Sequence, residues 1–246
     1  MIIGSFCYIM VKKTWGCQMY FSFSFKPYVA IIGDLKQSRD ISDRYVVQEK
    51  LNNVLGDINE SYSKDLSSKF TITLGDEFQG LLNCGVNAMR ITSEIQRRMY
   101  PVKIRFGIGI GSITTGINSE MAIGADGPGY YKAREAVEYL RVIEKRNGTQ
   151  AADIRFEADG DNQGIVSMLN TILTLMTVIK ESWSDRQREV IEDILEHQDS
   201  QTNTAKRLQI RQPTVHRILA NGNYYAYREA FDTLEKALEE ITQDVL

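Results

Sequence analysis

Residues Thr71–Leu82 read TITLGDEFQGLL. Of two short runs, Phe70–Leu74 is wholly apolar or β-branched and Phe78–Leu82 is apolar apart from Gln79, and Gly75-Asp76-Glu77 separates them. That is the pattern of a β-hairpin whose strands face a core. The adjacent carboxylates at its tip are the puzzle. Asp is common in turns, so a solvated turn would explain the pair when the hairpin is taken alone.

A second feature changes the balance. Tyr28–Asp34 reads YVAIIGD, apolar at every position until Asp34. A run with both faces apolar predicts a central strand. Between it and the hairpin, Val47, Leu51, Val54, Ile58 and Tyr62 recur at helical spacing, with Ser42 as the predicted N-cap. After the hairpin comes a predicted helix over Val86–Met99. Next is VKIRFGIGIGSI, where Phe106, Ile108 and Ile110 alternate with Gly107, Gly109 and Gly111. A strand with a glycine face predicts that something packs very close to its backbone. A helix follows from Gly129, closed by Asn147-Gly148. ADIRFEA is one more strand, so the order is β-α-β-β-α-β-α-β. Hairpins mixed with helices predict an α+β fold, a ferredoxin-like antiparallel sheet with covering helices.

From Gly164 onward strand signals stop and helices follow one another. The polar, glycine-rich stretch ADGDNQG at residues 158–164 marks the predicted boundary. The expected division is an extension over 1–26, an α+β domain over 27–160 and a helical domain over 161–246. The first segment places Lys12 and Lys13 after its apolar run, which argues for a poorly ordered extension rather than a signal peptide. Gly164–Ile179 is uncharged, yet Ser167, Asn170, Thr171, Thr174 and Thr177 form a polar stripe. That argues for an amphipathic helix and against a membrane span.

Composition sets the outer bounds. The chain has 246 residues and a net charge of −3, so it is not basic overall. Local charge still decides nucleic-acid binding. Three scattered cysteines, Cys7, Cys17 and Cys84, form no zinc or disulfide framework and point to a reducing cytoplasm.

In a ferredoxin-like sheet the first and third strands are neighbours, which brings Asp34 beside Asp76. Two bare carboxylates that close repel unless a cation lies between them. Magnesium suits such a site, with water and phosphate oxygens in its other positions. Gly75 would let the backbone turn there and a phosphate approach.

At these residues a resemblance enters. TLGDEF resembles the metal hairpin of class III nucleotidyl cyclases and the Gly-Gly-Asp-Glu-Phe signature of diguanylate cyclases. AIIGD resembles their first metal strand. RFGIGIGSITTG and GPGYYKAREAVE resemble the strand and helix that follow. The resemblance implies Mg2+ or Mn2+ held by Asp34, the Leu35 carbonyl and Asp76, with Glu77 nearby. It implies nucleotide or phosphate contacts from Lys36, Gly75, Lys132 and Arg134, with Arg134 and Lys132 as the candidate catalytic residues. Departures limit it. Where cyclases carry a lysine, this chain has Ile72; where they carry an asparagine, it has Tyr130; the first glycine of the diguanylate signature is Leu74. Such a site is expected to bind a nucleotide triphosphate or cyclic nucleotide without cyclising it.

TNTAKRLQIRQPTVHRILANG, residues 202–222, raises a second possibility. Ala205 suits the crossing point of a helix-turn-helix; Leu208, Ile210, Val215 and Ile218 suit its core; Pro213 suits the first turn of the second helix. Lys206, Arg207, Arg211, Gln212, Thr214, His216 and Arg217 are the predicted DNA contacts. No Asp or Glu occurs from Ser200 to Arg228. A packing module that never meets DNA is the alternative. In the last helix Tyr227, Phe231, Leu234, Leu238 and Ile241 form a short heptad seam, which fits either internal packing or a homodimer.

The order of the two parts resembles the bacterial SatD family, which adds architecture rather than mechanism. The leading expectation is a cytoplasmic DNA-binding regulator with a degenerate nucleotide-sensing domain. An active nucleotidyl cyclase or nucleotidyltransferase and a non-enzymatic scaffold are the alternatives.

Overall fold

The computed structural model describes residues 21–37, 43–146 and 152–243. It is a mixed α+β structure with one five-stranded sheet. The strands are β1 (Tyr28–Leu35), β2 (Leu66–Leu74), β3 (Glu77–Leu82), β4 (Ile104–Gly111) and β5 (Ile154–Ala158). The helices among them are α1 (Arg44–Ser61), α2 (Ala88–Met99) and α3 (Pro128–Glu144). Then come α4 (Gln163–Glu181), α5 (Asp185–His197), α6 (Gln201–Arg207), α7 (Gln212–Asn221) and α8 (Tyr224–Glu239).

The sheet order is β2-β3-β1-β4-β5, with β1 antiparallel to both β3 and β4. The apolar run at Tyr28 is therefore the central strand. The sheet departs from the expected antiparallel pattern at one edge, because β5 pairs parallel to β4. The cause is topological: α3 joins β4 to β5, and a helical crossover returns the chain in the same direction.

Each face of the sheet has its own cover. Ile31, Phe78, Phe106, Ile108 and Phe156 face α1, α2 and α4 in the main core. Ala30, Ile32 and Leu81 face Tyr130, Ala133 and Val137 of α3 in a smaller one. The glycine face of β4 is what admits α3 so closely. A Cβ on Gly107 would collide with the Ala133 carbonyl, and one on Gly109 with the Gly129 carbonyl. Both glycines answer to sterics rather than to turn formation.

Local signals explain the helix starts. Asp43 caps α1 by accepting from the Val46 amide at 3.1 Å, one position after the predicted Ser42, which lies outside the described residues. Ser184 and Gln187 form a full capping box on α5. The predicted Asn147-Gly148 stop after α3 also lies outside the described residues.

Packing is continuous across residues 158–164. Ile165, Leu169, Leu173 and Met176 of α4 join the same core as the strands, as do Val190, Ile194, Val215 and Leu219 of the later helices. α8 completes this core. Its seam residues Tyr227, Phe231, Leu234, Leu238 and Ile241 are buried within their own chain. Gly85, after β3, donates its amide to the Ile241 carbonyl at 2.9 Å. Arg90 of α2 grips the buried Glu235 at 2.5 Å and 3.3 Å. The seam therefore serves internal packing, which removes it as a dimer surface.

Among the described residues only α4 is long and apolar enough to cross a membrane. One side of it instead packs on β5 and α8. Residues before Lys26 also take part in the packing. Asn162 exchanges two hydrogen bonds with the Ser22 backbone, at 3.0 Å and 3.1 Å, and Phe21 and Phe23 pack on the core.

Candidate functional site

Asp34, at the end of β1, lies in one row with its neighbours across the sheet. Glu77 of β3 is its partner on one side and Arg105 of β4 on the other. The residue facing Asp34 is thus Glu77, and Asp76 is one step farther out. The Asp76 carbonyl accepts from the Leu35 amide at 3.0 Å, which ties the hairpin tip to the strand end. Asp76 is half-buried, whereas Asp34 and Glu77 are 3% and 6% exposed. Gly75 has φ +54° at the tip, the left-handed conformation that favours glycine.

The carboxylates are not bare. Arg105 binds Asp34 Oδ2 at 2.5 Å, and Arg141 of α3 binds Asp34 Oδ1 at 2.8 Å and Oδ2 at 3.2 Å. Arg134 reaches both oxygens of Glu77, at 3.2 Å and 3.4 Å. Arg141 also stands 3.9 Å from Glu77. Beyond Arg105 the alternation continues. Arg105 binds Glu144 at 2.6 Å, Glu144 binds Lys36 at 2.7 Å, Lys36 binds Asp153 at 3.1 Å, and Asp153 binds Lys180 at 2.6 Å. The result is a ladder of alternating charge from α3, across the ends of β1 and β4, to α4.

Two groups in and around the ladder are shifted by this environment. Burial alone would raise the Asp153 carboxyl, but Lys180 and Lys36 together override it and bring it to about 2. The Arg141 guanidinium is held firmly protonated, chiefly by its bonds to Asp34. Apart from the ladder, on the sheet-facing side of α3, burial raises the Tyr130 phenol, whose hydroxyl has no hydrogen-bond partner among the described residues.

Several expected roles change here. Asp34 and Leu35 lie at the strand end as expected, but a divalent ion at Asp34 would have to displace a guanidinium. Among the described residues no group of three or more His, Cys, Asp or Glu side chains is placed to hold a metal ion. The residues as they stand do not fit one. Lys36 points into the Glu144–Asp153 pair instead of toward a phosphate. Lys132 and Arg134 part company. Two residues along a helix rotate the side chain by about 200°, so Arg134 faces Glu77 while Lys132 pairs with Glu135 at 2.8 Å and feels Glu157 and Asp159.

Arg141 and Glu144 were missed by sequence reading. The available signal was helical spacing: Arg134, Glu138 and Arg141 fall on one stripe of α3. Arg105 was visible only as part of a strand motif, and its role follows from register with Asp34.

The second candidate surface lies on α6 and α7. The four residues Leu208–Arg211 join these helices, with Gln209 at φ +53° and the Ile210 amide bonded to the Ala205 carbonyl at 2.9 Å. Ala205, Val215 and Leu219 are buried, and Leu208, Ile210 and Ile218 pack beside them. Trp183 anchors the unit through a 2.7 Å bond to the Gly222 carbonyl. Lys206, Arg211, Gln212, His216 and Arg217 are exposed, while Thr214 is half-buried. Gln212 bonds Gln201 at 2.9 Å. Arg207 differs from the expectation. It binds Asp193 and Asp199, each at 2.7 Å, and so locks α6 onto α5.

An α+β sheet with an ion-paired strand end, continued by a helical module, is the architecture on which the comparisons bear. Residues 28–227 match the SatD family, and the chain belongs to that family. No curated protein matches it. Among solved structures it is similar to the catalytic core of a rhodopsin-guanylyl cyclase with converted specificity, in complex with ATPαS. That likeness has 14% identity and a TM-score of 0.36, covering 46% of this chain and 72% of the other. It is also similar to a bacterial light-regulated adenylyl cyclase, at 13% identity and a TM-score of 0.40, covering 59% and 79%. A third likeness is to the guanylyl cyclase domain of the RhoGC fusion protein from the fungus Blastocladiella emersonii. It has 13% identity and a TM-score of 0.37, covering 58% and 84%. Likenesses this distant carry no functional argument.

Proposed function

We propose that this SatD-family chain is a cytoplasmic DNA-binding regulator whose α+β part is a ferredoxin-like, nucleotide-sensing domain without cyclase turnover. In this reading α6 and α7 are a helix-turn-helix, and α7 is the helix that enters the major groove. The observation that carries it is the exposed face of Lys206, Arg211, His216 and Arg217 in a stretch with no acidic residue from Ser200 to Arg228. In a chain of net charge −3, such a face is an electrostatic footprint for phosphates. The short turn and the buried Ala205 support the reading, because they let α6 and α7 approach closely.

The strand order β2-β3-β1-β4 supports the ferredoxin-like part, with β5 as an added edge. Gly75, Arg134 and Arg141 are the proposed anion contacts. The ion pairs at Asp34 and Glu77 argue against turnover, since phosphoryl chemistry depends on groups positioned for the transition state. A two-fold operator site would call for a homodimer.

The experiment is fluorescence anisotropy of genomic fragments with the full chain, across a salt series. Salt-dependent binding that weakens in Arg217→Ala supports the regulator. Binding to no fragment at any salt concentration would sink it. Nucleotide sensing is read separately, by calorimetry with ATP and GTP.

A further inference from the structure

We propose that Arg141 is a built-in cation. Its guanidinium fills the place between Asp34 and Glu77 that a divalent ion would need, and it keeps the free protein refractory to divalent metal at this site. The inference deepens the reading of the strand end as the nucleotide site. It rests on that reading only for what the ligand is, since the occupancy of Asp34 rests on geometry.

A metal ion binds through free oxygen lone pairs at about 2.0–2.6 Å. Here the four carboxylate oxygens already have partners. Asp34 Oδ1 accepts from Arg141, and Oδ2 accepts from both Arg105 and Arg141. Glu77 Oε1 and Oε2 accept from Arg134. Thr73 adds its hydroxyl to Glu77 Oε1 at 3.5 Å. A cation placed among these groups would also meet the positive charge of Arg105 and Arg141, a repulsion strengthened by burial.

Arg141 is the deciding residue among the three. Arg105 has only 13% of its side chain exposed, projects from the central sheet and is also bound to Glu144. Arg134 touches Glu77 but not Asp34. Of the three, Arg141 alone reaches toward both carboxylates, and at 37% exposure it retains room to swing outward from α3. A guanidinium does not lose its proton at any pH a protein survives, so pH does not empty the place. What the cluster offers outward is N–H donors on Arg134 and Arg141, so an anionic, phosphate-bearing ligand would be taken without a bridging metal.

The test is a titration of the full chain with Mn2+ alone, read by electron paramagnetic resonance of the free ion. Wild type is expected to show no saturable site that Asp34→Asn removes. Arg141→Ala is expected to gain about one equivalent of Mn2+ binding, at least about tenfold tighter than wild type. Adding Asp34→Asn to Arg141→Ala should remove that gain. A saturable Mn2+ site in wild type that disappears in Asp34→Asn overturns the proposal, and so does an Arg141→Ala variant that folds, by circular dichroism, and gains nothing. Should Arg141→Ala fail to fold, Arg141→Gln takes its place and is read in the same way. ATP binding in the presence of a chelator tests the ligand separately. Absence of any ATP binding, with or without metal, removes the nucleotide reading and leaves the Mn2+ result standing.

Discussion

The strand-end ladder and the α6–α7 surface use the same residue types in opposite ways. In the ladder, Arg105, Arg134, Arg141, Lys36 and Lys180 each lie against a carboxylate, and Asp34, Glu77 and Asp153 are nearly inaccessible. On α6 and α7, Lys206, Arg211 and Arg217 are exposed and form no ion pair among the described residues. Charge that is buried and paired holds a geometry, and removing one partner is costly. Charge that is exposed and unpaired costs the fold little and stays available to a phosphate. Two residues of the acid-poor stretch cross the line. Arg207 is satisfied by Asp193 and Asp199, and Arg228 by Asp232. Composition of a segment therefore says less than what its neighbours in space supply.

The sharpest way to break the comparison is Asp34→Ala. It leaves Arg105 and Arg141 facing a buried gap without their shared partner. The expected loss is about 2–3 kcal/mol in urea unfolding, short of the ~3–5 kcal/mol of an uncompensated buried charge because Arg105 keeps Glu144 and Arg141 is partly exposed. A loss below about 1 kcal/mol would place this pair with ordinary surface salt bridges.

Acid tests the far end of the same ladder. The Asp153 carboxyl sits at about 2, below its ordinary 3.8, because Lys180 and Lys36 outweigh the burial that would raise it. A depressed carboxyl contributes stability that is present above its unfolded value and lost as pH falls through its folded value. The contribution is about 2 kcal/mol near neutral pH. Between pH 3.8 and about 2, wild type should lose this increment. Asp153→Asn should be less stable at neutral pH and have a flatter acid limb. Parallel limbs in the two proteins would show that Asp153 is not the titrating group.

The sequence carried the sheet further than the site. Apolar runs, hairpin chemistry and the glycine face of β4 are local patterns, so the strands and a close approach to β4 were legible in the sequence, whereas the identity of α3 as the packing partner was not. The parallel edge at β5 was hidden, because strand direction depends on where a crossover helix lies. Asp34 stood out as the lone acid ending an apolar strand. Its partners did not, since Arg105 is 71 residues away and Arg141 107 residues away. Only cross-strand register and the stripe of α3 bring them together. The same limit applies to Arg207, which looked like Arg217 in one dimension and differs from it only through α5.

DNA affinity sharpens the other half of the comparison. Arg211→Ala and Arg217→Ala should each weaken binding by about 1 kcal/mol and lower the dependence of log affinity on log salt by about one unit. The loss at Arg211 should be uniform across sequences, because it lies at the N-cap where a phosphate contact is expected. The loss at Arg217 should depend on sequence if its side chain reads a base edge. Uniform losses at both positions would assign both to the backbone.

Arg207→Gln is the smallest perturbation of binding and the most direct test of the distinction. Its guanidinium is spent on Asp193 and Asp199, so the variant should lower the thermal midpoint by loosening α6 from α5. Its salt slope for DNA should stay that of wild type, while Arg217→Ala shows the reverse pattern of unchanged midpoint and reduced slope. A reduced slope in Arg207→Gln would mean that DNA draws Arg207 away from its carboxylates. Paired and unpaired arginines on this module would then be two states of one surface.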